Sequence, residues 1–373
     1  MHSKPKICIY AIAKNEEKFV ERFMNFAREA DIVIVADTGS SDDTVNKLRS
    51  SGAIVHSISV NPWRFDVARN MSLDFVPEDI DLCVCVDLDE VFSDGWREEL
   101  EKVWNPKITQ VKYKYIWNVL PNGDPGITFF YEKIHVRHGF KWKYPVHEVL
   151  VSDIKPHIAI ANITLTHYPD NTKSRSSYLE LLKLSCEEDP ENDRNSHYLG
   201  REFMFHRQYE NAIIELKRNL SLKSSTWNAE RSASMRFISR CYYNIGNIKE
   251  SINWAESAIR QHFCRESWLE LAKIYYATQD WKNLHCASIA ALTITDRDLN
   301  YISDPECWGA LFYEYVSISA YYLGDIKTAV SYGGAALNLA PGDRRIKNNF
   351  DFLLSQNVKS SEDRIECQNK ENL

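Results

Sequence analysis

Two patterns of apolar residues divide this chain, and the change between them falls just after Thr164-Leu165-Thr166-His167-Tyr168-Pro169. Before it, short β-branched runs alternate with amphipathic stretches. Ile7 to Ile12 is followed by Phe19 to Arg28, Asp31 to Ala36 by a turn and helix, and Ile54 to Val60 by a helical stretch towards Phe75. Strand, helix, strand, helix with short connections requires a parallel sheet with right-handed crossovers. From Lys173 onward apolar residues recur at helical spacing and strand-like runs all but vanish. A chain of 373 residues is too long for one small core. The expected division is an α/β domain over 1–170, a connecting helix over 171–192, helical repeats over 193–355 and a polar, disordered tail over 356–373.

Composition narrows the function classes. A net charge of -7 argues against a general binder of nucleic acid or anionic membrane, although a local basic patch survives such a balance. No apolar run approaches the about 18 residues needed to span a bilayer, and Met-His-Ser-Lys-Pro-Lys lacks the apolar core of a signal peptide. The nine cysteines sit at scattered apolar positions, as reduced core residues would. A cytoplasmic protein is the expectation.

The stretch that points to chemistry is Leu82-Cys83-Val84-Cys85-Val86-Asp87-Leu88-Asp89-Glu90. Its start reads as a strand buried on both faces, and its end carries carboxylates at the edge where open α/β sheets bind ligands. In an extended chain Asp87 and Asp89 project to the same side. Two convergent carboxylates repel unless a proton or a cation lies between them, and Mg²⁺ or Mn²⁺ answers that need while gripping a diphosphate. An earlier strand ends in Asp37-Thr38-Gly39-Ser40-Ser41-Asp42-Asp43-Thr44, where Gly39 permits a tight turn and Ser41 is placed to cap a helix.

Five pieces in order now carry a resemblance: Ala13-Lys14-Asn15-Glu16, Val35 to Asp42, Phe65-Asp66-Val67-Ala68-Arg69-Asn70, Asp87-Leu88-Asp89-Glu90 and Pro145-Val146-His147-Glu148. Over roughly the first 170 residues the sequence resembles the family 2 glycosyltransferases of GT-A fold. Its helical half is similar to a subgroup that fuses this domain to tetratricopeptide repeats and includes transferases modifying antimicrobial peptides on cysteine or serine.

The resemblance implies a donor, a UDP-sugar, and a role for each matching residue. Asp37 would accept from the nucleotide base, with backbone groups of Ala11 and Ala13 lining the base slot. Asp87 would hold the ribose or, on the metal side, a metal-bound water, Asp89 would ligate the metal directly, and Arg69 would approach the diphosphate. The bland alternative for Arg69 is a helix-surface ion pair with Asp66. Inverting transfer also needs a base opposite the leaving group. Glu148 is the base expected, with Asp89 and Glu90 as alternatives, and His147 or His167 would be a third metal ligand.

Between Lys112 and His167 aromatic residues are dense, and Pro121-Asn122-Gly123-Asp124-Pro125-Gly126 reads as a loop. In the second half four units recur at about the tetratricopeptide period. They are recognised by Tyr198 to Phe203, by Arg240 to Gly246, by Trp268 to Ala272 and by Ala320 to Asp325. Stacked hairpins bind a peptide or protein by default, and otherwise buttress a partner domain or form a homodimer. Arg231, Arg236 and Arg240 share one side of a helix, where surface ion pairs are expected and an acidic partner or nucleic acid is the alternative. The acceptor is left open between a peptide or protein side chain, a cell-surface glycan and a modified nucleic-acid base. The reading from another class is a repeat scaffold carrying an inactive transferase-like domain.

Overall fold

The computed structural model describes residues 4–120, 122–170, 172 and 176–356. Most of the expected polar tail and Pro121 lie outside the described residues. The chain divides into two compact units. One comprises residues 1–190 with 299–301, and the other 191–298 with 302–373.

The first unit is built on an eight-stranded sheet. The strands are β1 (Ile7–Ala13), β2 (Ile32–Asp37), β3 (Ile54–Ser57), β4 (Leu82–Cys85), β5 (Glu90–Phe92), β6 (Gln110–Ile116), β7 (Thr128–Val136) and β10 (Ile158–His167). Their spatial order is β3-β2-β1-β4-β7-β6-β10-β5. The first four are mutually parallel, β10 is parallel to β6, and the remaining pairings are antiparallel. The hairpin β8 (Phe140–Lys143) with β9 (Val149–Ser152) forms a separate small sheet. The expected third strand stops at Ser57, short of Val60.

Alternation along β1 sorts the core onto two faces. Ile7, Ile9, Ala11 and Ala13 pack with Phe23 and Met24 of α1 (Val20–Ala27), Leu48 of α2 (Thr44–Ser50), and Trp96 and Leu100 of α4 (Trp96–Val103). Cys8 and Tyr10 face the other way, onto Leu73 of α3 (Phe65–Asp74) and Trp142 of β8. A period of two is what puts adjacent residues on opposite faces. Across the second face a chain of bonds runs from Trp142 Nε1 to Tyr10 Oη (2.9 Å) and from Tyr10 Oη to His135 Nε2 (2.8 Å). Asn70, the last residue of the Phe65–Asn70 motif, clamps β8 onto α3. Its Nδ2 donates to the Trp142 carbonyl (2.9 Å) and its Oδ1 accepts the Trp142 N–H (2.8 Å).

The expected connecting helix is α5 (Tyr178–Glu188), and it belongs with the sheet. Glu188 accepts from Arg64, and Asp189 accepts from Tyr144 Oη (2.7 Å) and Lys143 Nζ (3.1 Å).

The second unit is a run of helical hairpins: α6 (Asp193–Phe205) with α7 (Tyr209–Ser221), α8 (Asn228–Asn244) with α9 (Ile248–Gln261), α10 (Arg265–Ala277) with α11 (Trp281–Leu292), and α12 (Leu311–Tyr322) with α13 (Ile326–Leu339). All four turns close in the same way. The N–H groups of Gln208, Asn247, Asp280 and Asp325 donate to the carbonyls of Phe203, Tyr242, Tyr275 and Ala320. The residue before each donor, Arg207, Gly246, Gln279 or Gly324, has positive φ. This is the left-handed helix stop of the Schellman motif, with glycine at two of the four positions. Asn247, Asp280 and Asp325 then cap the second helix through their side chains. Small residues let the helices close up: a Cβ on Gly200 would meet Leu216 Cγ at 2.5 Å. The segment from Thr295 to Asp304 is non-helical and leads into a 3-10 turn, Pro305–Trp308.

Candidate functional site

The strand order contains a reversal. From β1 the chain steps outward to β2 and β3, then returns to the other side of β1 as β4. Open α/β sheets leave a crevice at such a switch point, at the carboxyl ends of the strands. Here those ends belong to β1, β2 and β4, and the polar residues beyond them are Asp37, Asp87, Asp89 and Glu90.

Asp87 and Asp89 are not paired as an extended chain would pair them. The backbone turns after β4, with the Glu90 N–H donating to the Asp87 carbonyl (3.0 Å) and the Asp87 N–H to Glu90 Oε2 (2.9 Å). The two aspartates therefore take different partners. Arg69 of α3 grips Asp87 from Nη1 to Oδ1 (2.8 Å) and Nη2 to Oδ2 (2.9 Å), while its Nε donates to Glu148 Oε1. Asp66, the expected surface partner of Arg69, pairs instead with Arg64. Burial disfavours the Asp87 carboxylate, but the charges of Arg69 and Lys133 outweigh it and hold its pKa well below the usual range.

Lys133 of β7 is a residue that motif reading missed. Its Nζ lies 3.1 Å from Glu90 Oε1 and 3.7 Å from Asp87 Oδ2, and Tyr115 Oη donates to Glu90 Oε1 (2.7 Å). Burial alone would strip the ammonium of its proton, yet Glu90 and Asp87 raise its pKa well above the ordinary value. The only sign of it in the sequence is a lysine two residues after Tyr131 in a strand, which puts the two side chains on one face. Glu90, expected as an alternative base, is committed to this buried network.

Asp89 meets a histidine, and it is His167. Its Nε2 lies 3.3 Å from Asp89 Oδ2, while its Nδ1 lies 2.8 Å from the Trp117 carbonyl. That carbonyl can only accept, so Nδ1 carries the proton and Nε2 faces the carboxylate. Burial would lower this imidazole's pKa, but the Asp89 carboxylate raises it above its ordinary value. His147, expected as a metal ligand, turns its ring edge-on to Tyr178, with centroids 5.9 Å apart, in a left-handed backbone conformation.

The remaining expected contacts are occupied from within. Asp37 accepts from the backbone N–H of Gly39 (3.1 Å) and Ser40 (3.1 Å), closing the turn after β2. The Ala11 carbonyl accepts from Ser72 Oγ (2.8 Å) and the Ala13 carbonyl from the Thr38 N–H (2.9 Å). The helix after this turn starts at Thr44 with Asp43 at its cap position, rather than at Ser41.

Among the described residues no group of three or more His, Cys, Asp or Glu side chains converges to hold a metal. Of the other expected ligands, Asp87 has both oxygens on Arg69 and His147 lies edge-on to Tyr178. Asp89 with His167 fits a divalent ion in part: two ligands from the chain, the remainder from diphosphate and water, as Mg²⁺ prefers. The charge balance agrees, since Asp87, Asp89, Glu90 and Glu148 face two permanent cations, Arg69 and Lys133.

No family model matches the chain, and no curated protein matches it. Solved structures with similarity include PilF of Pseudomonas aeruginosa, at 17% identity and TM-score 0.36 over 48% of this chain and 72% of that one. YrrB, described as a TPR protein with an unusual peptide-binding site, gives 15% identity and TM-score 0.38 over 48% and 85%. MamA gives 16% identity and TM-score 0.35 over 44% and 81%. Scores this low carry no argument about fold or ligand. Among the described residues no helix is long and apolar enough to cross a membrane.

Proposed function

We propose that the chain is an inverting glycosyltransferase that uses a nucleotide-sugar, a UDP-sugar, and a divalent metal, with a peptide or protein side chain as acceptor. The observation that carries this reading is the Asp89–His167 pair at the switch point of a parallel sheet, beside a carboxylate cluster short of positive charge. Asp89 and His167 would hold Mn²⁺ or Mg²⁺, which supplies neutralisation of the charge that develops on the departing diphosphate. The chain's own residues do the rest. Arg69 fixes the Asp87 carboxylate against the ribose side of the donor, and Lys133, paired with Glu90, helps to keep Asp87 ionised. Glu148 has one oxygen committed to Arg69; the other takes the acceptor's proton as the new glycosidic bond forms. No covalent intermediate is needed for inversion by direct displacement.

One observation favours a second reading, a scaffold with a silent transferase-like domain: both Asp87 oxygens are engaged by Arg69. A donor-hydrolysis screen across nucleotide sugars with Mn²⁺ separates the two. Metal-dependent release of nucleoside diphosphate from one donor supports the enzyme; no release from any donor, together with no thermal shift by UDP and Mn²⁺, leaves the scaffold.

A further inference from the structure

The two faces of the sheet are not equally covered. On the face that carries Tyr10 and Trp142, the β8–β9 hairpin reaches as far as His135, whose ring lies 5.0 Å from that of Phe140. Gln110 of β6 is the register partner of both His135 on β7 and Ile158 on β10, so these three side chains share that face. Beyond His135 the face continues over β6 and β10, and its residues there are apolar and basic. Ile158 is 47% exposed, Ile160 64% and Phe130 of β7 41%. Register sets Ile160 beside Lys112 and Phe130 beside Lys114. The opposite face of the same strands is core, with Val111, Tyr113, Ala161 and Ile163 buried.

The charge of this region runs against that of the chain. Between Asn105 and Pro169 there are eight lysines and arginines against four carboxylates, although the whole chain carries -7. On the uncovered face Lys112 holds Glu132 (2.6 Å). Among the described residues Lys114 has no carboxylate partner, and neither has Lys155, three positions before Ile158. An exposed apolar patch beside unpaired lysines selects an occupant that is both apolar and anionic. A second copy of the chain fits poorly, because a two-fold contact would set one positive surface against another. Protein interfaces are depleted in lysine and rich in tyrosine, tryptophan and arginine, unlike this face. A nucleic-acid backbone would pair the lysines and leave the isoleucines in water.

We propose that this half of the sheet face binds the surface of an anionic lipid bilayer. Ile158, Ile160 and Phe130 enter the headgroup layer, and the ammonium groups of Lys112 and Lys114 meet the lipid phosphates. Lysine stems lie along apolar surface while their charged ends stay in the polar layer. Each lysine held near an anionic leaflet adds attraction that salt screens. The contact is peripheral and needs no helix that crosses the membrane. Ile158 and His167 lie at opposite ends of β10, about 30 Å apart at about 3.3 Å per residue, so binding leaves the crevice open. The surface is independent of the transfer reaction and stands even if the sheet unit is catalytically silent.

The test is co-sedimentation of the full chain with vesicles of phosphatidylcholine alone and of phosphatidylcholine mixed in equal parts with phosphatidylglycerol, at low salt. Binding is expected to be at least about tenfold tighter to the mixed vesicles and to fall as salt is raised. Ile160→Asp and Lys114→Glu should each weaken it at least about tenfold, whereas Ile160→Leu and Lys114→Arg should retain it. If circular dichroism shows that the aspartate variant fails to fold, Ile158→Ser with Ile160→Ser takes its place and should also weaken binding. Arg260→Gln, at an exposed position of α9, should leave binding unchanged. Equal binding to both vesicles, or equal binding by wild type and Ile160→Asp, overturns the proposal. So does a lipid-free dimer that Ile160→Asp splits into monomers, which would give this face to a second copy.

Discussion

Both outer nitrogens of Arg69 engage one carboxylate, Nη1 lying 2.8 Å from Asp87 Oδ1 and Nη2 2.9 Å from Oδ2. The pair lies just beyond the carboxyl end of β4, with the arginine side chain 7% exposed and the aspartate 29%. Removing one member of a buried pair leaves the other charge without compensation, at about 3–5 kcal/mol. Arg69→Ala should therefore lower unfolding free energy by about that amount in urea titrations. Arg69→Lys keeps the charge but loses the fork, and should fall between the two. A melt of Arg69→Ala indistinguishable from wild type would remove the structural role assigned to this pair.

Asp89 and His167 make a separate prediction about ligands. Wild type should gain melting temperature with UDP and Mn²⁺ together, and less with either alone. Asp89→Ala and His167→Gln should each abolish the joint effect and reduce donor hydrolysis at least about a hundredfold, with unliganded stability altered by no more than about 1 kcal/mol. Hydrolysis at wild-type rates in Asp89→Ala would end the metal assignment.

His135 makes the fold sensitive to acid. Its Nδ1–H donates to the Val136 carbonyl (2.7 Å), and its Nε2 accepts from Tyr10 Oη (2.8 Å), so the buried ring is neutral. Burial lowers its pKa to about 4. Because the folded value is depressed, its contribution is fully present above the unfolded value of about 6.5 and is lost as pH falls towards 4. The loss across that window is on the order of 3 kcal/mol, at about 1.4 kcal/mol per pH unit. Urea midpoints should decline over that interval in wild type, and the decline should be markedly shallower in His135→Gln.

Two helical glycines should respond to alanine with opposite signs. At Gly200 the new Cβ meets Leu216 Cγ at 2.5 Å and the Leu216 backbone nitrogen at 3.3 Å. Overpacking of about 1–3 kcal/mol should exceed the gain of about 1 kcal/mol in helix propensity, so Gly200→Ala destabilises. At Gly334 the nearest atoms belong to the Phe350 ring at 3.4 Å, an ordinary contact, so Gly334→Ala should stabilise by up to about 1 kcal/mol. Differential scanning calorimetry of both variants checks the pair; the same sign for both would refute the packing argument.

Local pattern carried a good deal of this protein. The strand at β1, the carboxylates after β2 and β4, and four helical hairpins were readable because each depends on residues a few positions apart. Contacts between distant residues were not readable in this way. The choice of His167 over His147 beside Asp89 follows from β10 pairing with β5, which sets His167 opposite Glu90 in register. Lys133 reaches the carboxylates because β7 adds antiparallel to β4. Periodicity reports which face of an element is buried, whereas a charge's partner is set by strand order and helix packing, which join residues far apart in the chain.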